Sequence, residues 1–185
     1  MKLIYGFIGS PGSGKSTQAE LLVDELEKGS KEVDYINVGQ ILRNSKDKEV
    51  IEIMNTGQLV DDPIIFRVLE KELGKIADGG LVVLDGFFRR SSEAEWLLDQ
   101  RTALNLDLEL LVDLKLTKRE AIKRLSKRGR GDDGVKDIKV RLRVFAKERK
   151  GVLKVLKKDK IRIASVNGKG SREEVFARVC NKVGV

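Results

Sequence analysis

The amino-acid sequence predicts an α/β fold, a doubly wound five-stranded parallel sheet, on three observations. Five short apolar segments lie at residues 3–8, 33–36, 81–84, 108–114 and 161–164. Helical periodicity fills the intervals, notably at 62–76, 91–104, 118–127, 135–156 and 171–182. The first apolar segment also runs directly into the stretch GSPGSGKSTQ, residues 9–18. Strands alternating with helices of this length require crossover connections, and these cover a parallel sheet on both faces.

The first strand is followed by G-x-x-x-x-G-K-[ST], with Gly9, Gly14, Lys15 and Ser16 on the four fixed positions and Pro11, Gly12, Ser13 and Thr17 completing the turn. Glycines leave backbone N–H groups free to converge on an anion. A helix opening near Lys15, marked by Ala19, Leu21, Leu22 and Leu26, adds its dipole to that anion. Lys15 supplies a mobile positive charge for outer phosphates, and Ser16 a hydroxyl for magnesium. The fold is therefore of the P-loop NTPase type.

After the second strand, residues 39–61 read as short helices inserted before the third. The third strand delivers Asp85 and Gly86 to the carboxyl edge of the sheet, where ligands of doubly wound folds sit. Asp85 is expected to support magnesium beside the phosphate loop, through a water; the alternative is a turn former or helix cap. Residues 129–134 form a glycine-rich, charged break between two helices. Both irregular stretches read as insertions that close over ligands.

One domain suits 185 residues. No apolar run approaches the ~20 residues of a membrane span, and the opening residues lack a secretory pattern. Cys180 is the single cysteine and histidine is absent, which argues against a disulfide framework, a structural zinc or imidazole chemistry. A cytoplasmic monomer is expected. The net charge of +8 is uneven: residues 118–162 hold 19 lysines and arginines against 6 acidic residues. That region is a nucleic-acid surface, a solvated helical face or a clamp for a small polyphosphate. Nucleic acid is the weaker reading, since no zinc finger or aromatic RNA-binding signature accompanies it.

With these residues placed, the chain resembles the adenylate kinases, nucleoside monophosphate kinases with a short lid, over almost its whole length. The resemblance rests on GSPGSGKST, GQILR (39–43), GQLVDD (57–62), LDGFFRR (84–90), RLSKRGRGDD (124–133), Arg141 and VNGKGSREEVF (166–176). It implies a core of residues 1–37, 63–123 and 138–185, an acceptor-binding insertion at 38–62 and a lid at 124–137. The implied reaction moves the terminal phosphoryl group of Mg·ATP to AMP, and the partners are ATP and AMP. ATP would lie on the loop from Gly9 to Thr17, its adenine between Arg124 and Gly168. AMP would meet Val38, Gly39, Arg43, Gln58, Val60, Gly86, Arg89 and Glu93. Lys15, Arg89, Arg128, Arg130 and Arg141 would carry catalysis, with Asp132 and Asp133 orienting lid arginines and Ser16 and Asp85 holding Mg2+.

The pattern departs from the family in five places. A single Gly129 separates Arg128 from Arg130, Phe88 replaces proline after DGF, Val38 replaces threonine, and Asp61 replaces proline. Glu93 stands where a glutamine reads the acceptor base. An amide complements adenine's acceptor and donor, whereas an ionised carboxylate only accepts and suits guanine's edge. Glu93 is otherwise a solvated helix residue. Two alternatives to an adenylate kinase follow: a kinase for GMP, UMP or CMP, and a nucleotide-binding module without catalysis.

Overall fold

The computed structural model describes residues 1–29, 32–55, 59–128 and 134–185. In chain order its elements are β1 (Lys2–Gly9), α1 (Lys15–Lys28), β2 (Val33–Asn37), α2 (Val38–Arg43), α3 (Lys48–Asn55) and α4 (Asp62–Leu73). They continue with β3 (Leu81–Asp85), α5 (Ser91–Asp99), β4 (Leu106–Lys115), α6 (Lys118–Arg128), α7 (Val135–Lys158), β5 (Ile163–Asn167) and α8 (Arg172–Val183).

β1 holds the centre because it is apolar on both faces. Ile4 and Ile8 point into one core, Phe7 into another. All neighbouring strands run parallel in the order β2-β3-β1-β4-β5. On one face, Ala19, Leu22 and Leu26 of α1 and Val175, Val179 and Val183 of α8 pack with Phe7, Leu110, Val112 and Leu114. On the other, Leu69 and Leu73 of α4, Leu97 of α5 and Val152 and Leu156 of α7 pack with Ile4, Ile8 and Leu111. The loops after β1 and β3 thus leave toward opposite faces. A crevice opens at the carboxyl ends of these adjacent strands, the position where such sheets bind ligands.

The five-stranded α/β prediction holds, although several boundaries move, the helix expected over 62–76 ending at Leu73 and the fourth strand starting at Leu106. The helix expected to 104 ends at Asp99, because Leu106 N–H turns back to the Arg101 carbonyl (3.0 Å) and Asn105 takes a left-handed φ of 49°. The fifth strand begins at Ile163, not 161. Ile161 N–H closes the end of α7 on the Leu156 carbonyl (2.9 Å), and pairing starts with Ile163 opposite Leu111. The run expected at 39–61 contains α2 and α3. Among the described residues, no helix is long and apolar enough to cross a membrane.

Of the charged residues of β4, one is buried within its apolar run. Asp113 is 1% exposed, and its carboxylate is taken by both Arg149 nitrogens, Nε at 3.1 Å and Nη2 closer still. The pair pins α7 to the sheet two helical turns beyond Arg141. A fork of two charge-assisted hydrogen bonds is specific as well as strong, and removing one member strands the other in the core, at about 3–5 kcal/mol. Arg149→Ala should therefore lower the unfolding free energy by about 3 kcal/mol. Adding Asp113→Leu should recover much of it, as measured by urea unfolding of both variants. A single variant as stable as the parent would contradict the pinning.

Candidate functional site

The turn after β1 is closed by Ser13 N–H on the Ser10 carbonyl (2.9 Å). Gly14, at φ 90°, caps α1 in a left-handed conformation that a side chain would strain, so Lys15 and Ser16 open the helix facing the crevice. Beside them, β3 ends at Asp85. Ser16 Oγ donates to Asp85 Oδ2 at 2.5 Å, joining the two strand ends through one carboxylate. Three oxygens nearby are buried without a partner among the described residues: Asp85 Oδ1, Ser10 Oγ and Ser13 Oγ.

Around this floor lies a cavity of about 380 Å³, the size of a small-ligand site. Gly9, Pro11, Gly12, Gly14, Lys15, Ser16 and Thr17 form one wall. Gly39, Arg43, Gly86 and Arg89 line it as well, as do Arg124, Arg128 and Arg141. Arg43 and Arg89 converge on the backbone of Gly39: a Cβ built there would lie 2.9 Å from Arg89 Nη2 and 3.6 Å from Arg43 Nη1. Gly86, at φ 78°, is equally constrained, since its Cβ would approach Gly39 N to 3.1 Å. Desolvation in the cleft lowers the Lys15 ammonium from its ordinary value. Asp85 opposes that shift, and the charges of Arg89, Arg141 and Arg128 reinforce it. These groups therefore sense one another across a single space.

Several expected residues take other places. Val38 and Val60 are 1% and 2% exposed and pack in the core, so their side chains do not reach the cavity wall. Ser13 is buried beneath the loop. Gly168 accepts Arg124 Nη2 on its carbonyl at 3.1 Å, a bond that a base between them would have to replace. Gln58 and Arg130, with Gly129, Asp132 and Asp133, lie outside the described residues.

Glu93 meets neither expectation. It is 1% exposed, so it is not a solvated helix residue. Nor does it line the cavity. It stands at the third position of α5, where Oε2 accepts Arg89 N–H (2.5 Å) and Arg90 N–H (3.4 Å), so the carboxylate secures the backbone that presents Arg89. The neighbouring Arg90 side chain donates to the Val60 carbonyl (2.7 Å), Asp62 Oδ1 (2.6 Å) and the Leu59 carbonyl (3.2 Å), clamping the segment before and at the start of α4 to the same loop. The sequence reading also passed over Asn37, which lines the cavity beside Asp85, and Phe145, one turn beyond Arg141. An asparagine directly before a helix is a capping signal that could have marked Asn37.

Comparison with known proteins shows the family. The family model described as adenylate kinase matches residues 7–161. An adenylate kinase of Azobacteroides pseudotrichonymphae is 34% identical over 98% of this chain and 97% of its own length. One from Prochlorococcus marinus subsp. pastoris is 33% identical over 99% and 98%. That of Bacteroides thetaiotaomicron is 31% identical over 95% of both chains.

Burial, opposed by the backbone N–H bonds and charge of Arg89, raises the Glu93 carboxyl to about 7 from its ordinary 4.5. The folded protein therefore holds a proton that the unfolded chain has released, and the stability this group contributes is lost as pH rises from about 4.5 through about 7. Glu93→Gln keeps an acceptor oxygen without the charge. Its unfolding free energy should exceed the parent's by roughly 2 kcal/mol at pH 8, a gap that closes toward pH 5. A pH-independent difference in thermal or urea unfolding would overturn this assignment.

Proposed function

The chain belongs to the adenylate kinase family and transfers the terminal phosphoryl group of ATP to AMP, and from that premise we propose which residues carry the reaction. A kinase for GMP, UMP or CMP is not favoured. ATP takes the loop from Gly9 to Thr17, where turn N–H groups, the start of α1 and Lys15 meet its phosphates. AMP takes the other part of the cavity, its phosphate between Arg43 and Arg89 and its nucleoside against Gly39 and Gly86. The observation that supports this reading is the convergence of Lys15, Arg89, Arg128 and Arg141 on one cavity.

Phosphoryl transfer asks for in-line placement and neutralised charge more than for proton chemistry. Arg89 belongs to the acceptor site and Lys15 to the donor loop, so the transferring group is held between them, and Arg128 and Arg141 close over its oxygens. Planar guanidinium forks suit paired phosphoryl oxygens. The residues also fit magnesium: Ser16 Oγ and Asp85 Oδ1 are hard oxygens, and the latter is buried with no partner among the described residues. Bound with ATP, the ion would neutralise phosphate charge beside Ser16 while Asp85 orients its water shell. Residues 38–62 and 124–137 are proposed to close around the two substrates, which excludes water from the transfer.

Lys15→Met should lower phosphoryl transfer by about 10²-fold or more while unfolding within a few degrees of the parent. A coupled assay with ATP and AMP, run beside calorimetry, measures both; near-parent turnover would sink the assignment. Arg89→Ala should weaken AMP binding and depress transfer with ATP affinity little changed. The reverse pattern would exchange the two sites.

A further inference from the structure

Asp85 is held from a second side by residues outside the phosphate loop. Asn37 ends β2, opposite Asp85 in the ladder, and caps α2. Its Oδ1 accepts Gln40 N–H at 2.9 Å. A backbone N–H can only donate, which fixes the orientation of the amide. Nδ2 is thereby turned to Asp85, donating to Oδ2 at 3.0 Å, and it lies 3.0 Å from the Tyr35 hydroxyl as well. The Tyr35 hydroxyl lies 3.5 Å from the same oxygen. A phenol hydroxyl can donate to that oxygen.

Ser16, Asn37 and Tyr35 therefore all address Oδ2, and Oδ1 is left buried without a partner among the described residues. A carboxylate anchored through one oxygen cannot rotate without breaking those bonds, so the other oxygen has a fixed direction. Ser16 alone would leave the carboxylate free to pivot about a single contact. The amide of Asn37 removes that freedom.

We propose that Asn37, supported by Tyr35, is a positioning residue that aims the unpartnered oxygen of Asp85 at the hydrated magnesium of the ATP complex. The inference rests on the role proposed above for Asp85. It predicts a specific defect: loss of the benefit that magnesium brings to nucleotide binding, with binding of the bare nucleotide retained. Serine is the informative replacement, since its hydroxyl still caps α2 but does not reproduce the amide donor.

The test is calorimetric titration of the β,γ-imido analogue of ATP into the full chain, once with Mg2+ and once with EDTA. The ratio of the two affinities is the magnesium gain. In Asn37→Ser that gain should fall roughly tenfold, about 1.4 kcal/mol, while the EDTA affinity stays within about twofold and thermal unfolding remains near the parent's. Tyr35→Phe should shift the gain in the same direction by a smaller factor and keeps the aromatic packing, so it carries the test if the first variant is poorly folded. Asp85→Asn should abolish the gain. A full gain in Asn37→Ser and Tyr35→Phe, with Asp85→Asn abolishing it, overturns the positioning role alone. A full gain in Asp85→Asn as well overturns the reading of Asp85 on which it rests.

Discussion

The carboxylate of Asp85 is the contact on which the architecture of the site depends. It stands at the end of a strand whose five residues are all buried, so the sheet fixes its position before any ligand arrives. Ser16 at the start of α1 and Asn37 at the start of α2 both bond to it. The loop after β1 and the segment that follows β2 are therefore referenced to the same atom. Around it stand Lys15, Arg89, Arg128 and Arg141, and the three arginine charges add to burial in lowering the Lys15 ammonium from its ordinary value. A cleft whose charges are already in place before any ligand arrives is suited to anionic groups without reorganising.

How much of this could be read from the chain alone depends on distance in sequence. The phosphate loop is local: glycines, Lys15 and Ser16 carry their geometry in adjacent positions, and alternation of apolar segments with helical patterns was enough for the sheet. Asp85 also announced itself, as an acid at the end of a wholly apolar strand. Asp113 carried a similar signal inside β4, but its partner Arg149 is 36 residues away on a basic helix where one arginine looks like the next. The asparagine at 37 acts through two contacts of different range, one three residues ahead and one 48 away, and only the first leaves a mark in the sequence.

Glu93 shows why spacing to a motif did not settle a role. Reading it against a base assumed that the side chain points into the cleft. The helix begins at Ser91, however, which puts residue 93 at the third position, where a carboxylate reaches back to the open N–H groups. Helix phase, set by where α5 starts, decided the outcome. The residue still bears on the cavity, but through the backbone of Arg89, whose side chain lines it.

The aromatic substitution at position 88 is explained by a residue outside the motif. Proline there would fix a backbone angle, and Phe88 instead fixes the loop by packing. Its ring occupies space that exists only because β1 carries glycine at position 6: a Cβ on Gly6 would lie 2.5 Å from Phe88 Cε2. The ring meets Phe87 edge-on at 5.2 Å, Phe87 meets Trp96 at 6.2 Å, and Trp96 stacks on Phe66 at 4.9 Å. These contacts run from the central strand through the Arg89 loop to α4. Interlocked rings of this kind resist displacement because close-packed interiors offer no space to slide into. Arg89 is thus presented by a loop held between a hydrogen-bonded carboxylate on one side and a run of aromatic rings on the other, and its guanidinium can sit among other cations without the backbone giving way.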